Sequence, residues 1–279
     1  MSIFEDGVFN CWEYVDIEGM KSKVYSKWIS YQIPDSNYFS IYHLGRYTIK
    51  RGQWNYNNNE EYIGFLNDKV KELNPTMDNI FYINNEKSIS IGNSNYSRFR
   101  MTNEVIVRRD ERGMSFKNYK GNRYSFFRKF NEDSIDYVTV DIYQDSVVII
   151  DGYNGKEVID IEKLEECIQN EKIISNLPDG SNLFIKDIGM IEILETNYSV
   201  NAYEKFREIV EDVKKLNGQQ TFSEITYTLF KEYNENPSDK LKNEIKEAYE
   251  AIPSHLRKYV LGDMDAKDWP IRIIIYPEN

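Results

Sequence analysis

The chain has 279 residues, 35 Lys plus Arg against 46 Asp plus Glu, and a formal charge of −11. That length accommodates one large domain or two of ordinary size, and 41% apolar residues with 22 Tyr and 14 Phe exclude wholesale disorder. The negative balance disfavours generic binding to DNA, RNA or anionic membranes, because phosphates are repelled at long range.

The first half reads mainly as strands. Lys23 to Ile33 is β-rich, with Val24, Tyr25, Trp28 and Tyr31, and ends at the turn pair Pro34-Asp35. Tyr38 to Trp54 alternates through Phe39, Ile41, Tyr47 and Ile49, a period that hides one face of a sheet. One helix interrupts: Asn59 is a candidate cap, Glu60 and Glu61 suit its positive end, and Ile63, Leu66, Val70 and Leu73 form a stripe before Pro75. Further strands are predicted at Ile80–Ile83, Ser88–Ile91, Glu104–Arg109, Met114–Tyr119, Tyr124–Phe130 and Tyr137–Tyr143, with Gly113 and Gly121-Asn122 as turns. Val147–Ile150 and Glu157–Ile161 form a hairpin around a longer loop at Asp151–Gly155.

From there the pattern shifts toward helix. Ile161–Ile173 carries Leu164, Cys167 and Ile168 on one face, and Leu183–Leu194 reads as strand broken near Gly189. Beyond Asn201, Tyr203, Phe206, Val210, Val213 and Leu216 share a stripe that stops at Gly218. Thr221 and Glu224 match a capping box for a helix bearing Phe222, Ile225, Leu229 and Tyr233. Ser238 or Asp239 caps another with Leu241, Ile245, Ala248 and Ile252, and His255–Leu261 adds a short helical turn. The run Pro270–Tyr276 is β-branched and apolar, which predicts a closing strand buried on both faces.

The expected architecture is therefore α+β: an antiparallel, strand-rich N-terminal portion (1–155) and a helix-rich C-terminal portion (156–279) closed by a terminal β-strand. One continuous domain is the alternative division.

Charge is unevenly spread. Residues 1–97 carry 9 basic and 12 acidic side chains, residues 98–130 carry 10 and 3, and residues 131–279 carry 16 and 31. A basic island thus sits in an acidic protein. It interleaves Arg108, Arg109, Arg112, Lys117, Arg123 and Arg128 with Tyr119 and Tyr124, a composition able to hold single-stranded nucleic acid by charge and stacking. No RNP, KH or OB signature accompanies it, and a solvated sheet face docking on the chain's own acidic half explains the same pattern. The acidic half offers Glu165, Glu166, Glu208, Glu211 and Asp212 near helices, a surface that would steer in a cationic protein.

Catalytic chemistry has little material. His43 and His255 stand alone, without a serine elbow or a cysteine–histidine arrangement, and no phosphate-binding glycine loop occurs. Asp263, Asp265 and Asp268 are the one grouping suited to a hard cation, but Asp268 occupies the position where an EF-hand loop requires Gly. Cys11 and Cys167 have no metal-type spacing, and no secretory start or bilayer-length apolar run appears, so the expectation is a cytoplasmic protein without cofactor or membrane contact. Three functions follow. The leading one is a non-enzymatic intracellular interaction protein, such as an immunity or inhibitor protein that masks a basic partner. The others are a metal-dependent carboxylate hydrolase or nuclease, and a nucleic-acid-binding module built on residues 98–130.

Overall fold

The structure, a computed structural model, describes residues 1–11, 13–78, 80, 89–91, 94–96, 106–110, 117–131, 133–262 and 265–277. The chain opens with a small antiparallel sheet, β1 (Ser2–Ile3), β2 (Phe9–Asn10) and β3 (Tyr14–Val15). Next comes α1 (Ile17–Tyr25), where a strand was expected from Lys23. The local chemistry explains the difference. Asp16 accepts the Gly19 N–H at 2.7 Å, and Met20 and Val24 bury one face a turn apart. Lys27, at φ +60, then ends the helix and leaves residues 27–35 irregular.

β4 (Tyr38–Ile41) and β5 (Gly45–Trp54) form a hairpin, followed by α2 (Asn59–Leu73), whose cap is Asn58 rather than Asn59. A short hairpin, β6 (Ile89–Ile91) and β7 (Ser94–Tyr96), precedes β8 (Ile106–Asp110), β9 (Lys117–Lys129), β10 (Ser134–Tyr143), β11 (Val147–Gly152) and β12 (Gly155–Asp160). The expected strand positions 81–83 and turn Gly113 lie outside the described residues. Gly121-Asn122 is no turn but the middle of β9. A side chain at Gly121 would sit 2.6 Å from the Ile142 carbonyl, so glycine here permits close strand approach. The loop expected at 151–155 is a tight turn, with Gly152 paired to Gly155 at φ +84.

The remaining elements are α3 (Ile161–Gln169), β13 (Ile173–Ile174), β14 (Asn182–Ile185), β15 (Gly189–Ser199), α4 (Ala202–Leu216), α5 (Phe222–Glu235), α6 (Asp239–Ala251) and α7 (Trp269–Ile275). The main sheet runs β12-β11-β10-β14-β15-β5-β4, with β9 on the opposite edge of β10 and pairing further with β8 and β13. Every pairing in it is antiparallel except β10–β14. The pairing of β5 with β15 ties the first quarter of the chain to residues 189–199. A division at 155/156 would cut β12, which is paired to β11 throughout.

The fold is α+β, with the sheet contributed mainly by the N-terminal portion and helices concentrated toward the C-terminus. The closing element, however, is α7 and not a strand. Pro270 stands in its first turn, where the missing N–H costs nothing. Ile271 and Ile275, one turn apart, are buried while Ile273 between them is half exposed, a helical pattern that the β-branched composition concealed.

Among the described residues, apolar side chains gather in four clusters. One lies under α3 and α4 against β9–β11, around Phe126, Val140 and Leu164. A second joins α1 and α2 to the N-terminal strands. A third fills the space around β5, β14 and β15, with Tyr47, Phe127 and Ile193. The fourth, around Ile245, Ile252 and Ile271, belongs to the last three helices.

Candidate functional site

The basic strand and its acidic surroundings meet. Arg128 is buried, and its guanidinium holds the fully buried Asp136 with bonds of 2.8 and 3.2 Å. Asp136 also accepts the Asn154 N–H at 3.1 Å, and Arg128 reaches the Gly155 carbonyl at 3.2 Å, so this pair anchors the β11–β12 turn. Arg128 is thus a core residue rather than part of a binding surface, because leaving a buried charge unpaired is costly. Arg123 binds Asp141 through two bonds of 2.6 and 2.8 Å. Tyr124 donates its hydroxyl to Asp212 at 2.7 Å; burial, then the Asp212 carboxylate, pushes its pKa far up and keeps it a donor. Tyr119 is half-buried. Arg108, Arg109 and Lys117 are described only as paired backbone in β8 and β9, and Arg112 lies outside the described residues.

The acidic positions are similarly engaged. Glu165 accepts the Tyr203 hydroxyl at 3.2 Å, Glu166 pairs with Lys163 at 2.7 Å, and Asp212 with Lys215 at 3.2 Å. Glu208 lies 3.0 Å from His255 Nε2. Glu211 is buried and accepts the Phe222 N–H at 2.8 Å; burial raises its carboxyl pKa more than that bond and the nearby lysines lower it. Of the aspartates considered for metal, Asp268 accepts the Tyr249 hydroxyl at 2.5 Å, Asp265 is an exposed turn residue, and Asp263 is outside the described residues. Among the described residues, no group of three or more His, Cys, Asp or Glu is placed to hold a metal ion.

A different surface brings exposed aromatics together. On the outer side of β4, β5 and β15, Arg46 stands directly opposite Ser40 on one flank and Tyr198 on the other. Its guanidinium lies 4.3 Å over the ring of Tyr38. Tyr38, Tyr198 and Tyr42, in the β4–β5 turn, are 55%, 64% and 74% exposed. No carboxylate among the described residues pairs with Arg46. Next along the face, Thr48 bonds Asn197 at 3.0 Å, and Lys50 and Arg51 share Glu192. Gly45 lets the strands meet here, since a side chain would sit 2.2 Å from the Tyr198 carbonyl.

Sequence reasoning passed over this face because alternation along β4 and β5 identifies a wet side without revealing which distant strand lies beside it. The partner strand, β15, joins through three register irregularities between Glu192 and Tyr198, and such bulges break the period that would have paired Arg46 with Tyr198.

A groove of about 620 Å³ opens elsewhere, between the irregular segment 27–35 and Trp54. Its lining is largely apolar, with Lys27 and Asp35 as its charged groups. No helix among the described residues is long and apolar enough to cross a membrane.

No curated protein and no solved structure matches the chain. Residues 221–279 match a second family model, the domain of unknown function DUF7639. Residues 1–77 and 110–220 match a model that leaves out the stretch carrying β6, β7 and most of β8, and on that match the chain belongs to the family described as domain of unknown function DUF7638.

Proposed function

We propose that the protein is a non-catalytic intracellular binding protein that takes a protein partner on the outer face of β4, β5 and β15. The observation that carries this is Arg46, stacked on Tyr38 without a carboxylate among the described residues and flanked by exposed Tyr42 and Tyr198. Tyr and Arg supply a large share of binding energy at protein interfaces, because rigid rings bury wide areas at low entropic cost. The fitting partner surface offers a carboxylate to Arg46 beside apolar side chains. Support for a non-catalytic role comes from the ionisable groups. Both histidines are exposed, and burial raises the thiol pKa of Cys11 and Cys167, which makes them poor nucleophiles. Two buried, unpaired cysteines also suit a reducing compartment such as the cytoplasm.

A second reading, an inhibitor of a cationic partner, is favoured by Glu162 and Glu166, both exposed one turn apart on α3. Affinity capture from the native host separates the two. A stoichiometric partner lost from an Arg46→Glu/Tyr198→Ala variant and kept by Glu162→Lys/Glu166→Lys supports the Tyr/Arg face. A partner kept by the first variant and lost from the second transfers the site to α3. Retention by both variants sinks both readings.

A further inference from the structure

Three carboxylates of α4, at Glu204, Glu208 and Glu211, fall on one side of the helix at successive turns. Each meets the segment beyond residue 220, Glu204 and Glu211 by accepting a backbone N–H and Glu208 by proximity to a histidine. Glu204 Oε2 takes the Ser254 N–H at 2.5 Å, Glu208 Oε1 lies 3.0 Å from His255 Nε2, and Glu211 takes the Phe222 N–H at 2.8 Å. Burial alone would raise the Glu204 carboxyl pKa, but the Ser254 N–H and the charges of Arg207 and Arg257 outweigh it and keep it ionised. Lys214 completes the contact, with its ammonium 4.3 Å over the Phe222 ring.

The apolar interior does not follow these polar bonds. Among the described residues, none of the four clusters draws on both sides of position 220, and the fourth lies wholly within residues 222–276. Between the two sides, residues 217–220 are exposed, with Gly218 at φ +65 and open space where a side chain would be. The two family models also abut at this point. A body that completes its own core and touches its neighbour through polar groups is the kind that moves as a unit.

We infer that residues 222–276 form a self-contained helical body docked reversibly on α4 by the Glu204–Glu208–Glu211 clasp, hinged at residues 217–220. When docked, it covers these carboxylates; when released, it uncovers an acidic ladder without unfolding. The inference is independent of which surface recruits a partner.

The Ser254 and Phe222 amides report the docked state, because their acceptors are the clasp carboxylates and neither donates to a backbone carbonyl within its own body. Amide hydrogen exchange on the full chain tests the proposal with His255→Ala and His255→Glu, at a side chain that is 54% exposed and tolerant of change. Both variants leave the acceptors of the reporting amides in place. We expect Ser254 and Phe222 to exchange together, roughly two- to fivefold faster in His255→Ala and about tenfold faster in His255→Glu, where two carboxylates oppose. Amides inside α6 and β10 should keep their wild-type rates. Unchanged rates at Ser254 and Phe222, acceleration of one without the other, or a rise shared with α6 would each overturn the reversible clasp.

Discussion

The body of the protein, up to about residue 220, and the helical segment beyond it hold together by different means. In the body, strands distant in sequence share one sheet, and apolar clusters lie between that sheet and the helices. The C-terminal segment has its own cluster and reaches the body through carboxylates. Some charged groups, Arg128 with Asp136 and the α4 carboxylates among them, therefore act as internal fasteners, and no apolar cluster among the described residues bridges the two regions. A net charge of −11 thus does not say which of these side chains are available to a partner.

The largest effect should come from the body's buried ion pair. Asp136→Ala leaves Arg128 buried without its carboxylate and should cost about 3–5 kcal/mol, seen as a lower denaturation midpoint for the sheet. If the midpoint is unchanged, Arg128 has an exit to solvent and is no anchor. Ile271→Ala should cost about 2–5 kcal/mol, confined to the last three helices. Two melting transitions, with only the helical one shifted, would sharpen the contrast between the regions; a single shifted transition would break it.

Lys205 gives a smaller effect of opposite sign. It is buried, donates to the His43 carbonyl at 2.7 Å, and burial pulls its pKa down to about 8, with Glu208 only partly opposing. Because the folded value is below the unfolded one, its cost is fully present below pH 8 and is relieved between about 8 and 10.5. Lys205→Met should therefore stabilise the body by about 1–3 kcal/mol at pH 7 and remove that rise in stability with pH, measured by chemical denaturation at a series of pH values. A loss of stability at pH 7 would show that the bond to His43 outweighs the burial cost. The smallest change is Thr221→Ala, which breaks the capping box with Glu224 and should cost about 0.5–2 kcal/mol, visible only in the C-terminal transition.

Much of the local structure was legible. The capping box at Thr221 and Glu224, the Ser238 cap and the stripe Leu66 and Val70 all form as their patterns imply, because each depends on neighbours within four residues. Where the pattern misled, the decisive contact lay far away or the composition pointed elsewhere. On α4 the expected stripe included Tyr203, yet Phe206 and Ile209 are the buried apolar pair, both packed in the cluster against β9–β11. Arg128 looked like a surface cation because nothing in its vicinity announces that Asp136 will face it across a strand pair. Glu208 and Glu211 looked like part of a free acidic patch for the same reason. Charge composition identifies charged side chains but not the direction each one faces.

The pairing of β5 with β15 has a further consequence for the newborn chain. Arg51 and Glu192 are 141 positions apart, so at 5–20 residues per second β5 emerges roughly 7–30 seconds before its neighbour exists. Throughout that interval one edge of the β4–β5 hairpin lacks its native cover, and late closure of so long a loop slows folding. Arg46, Lys50 and Arg51 of β5 are the kind of charged residues that discourage edge-to-edge association on an uncovered strand.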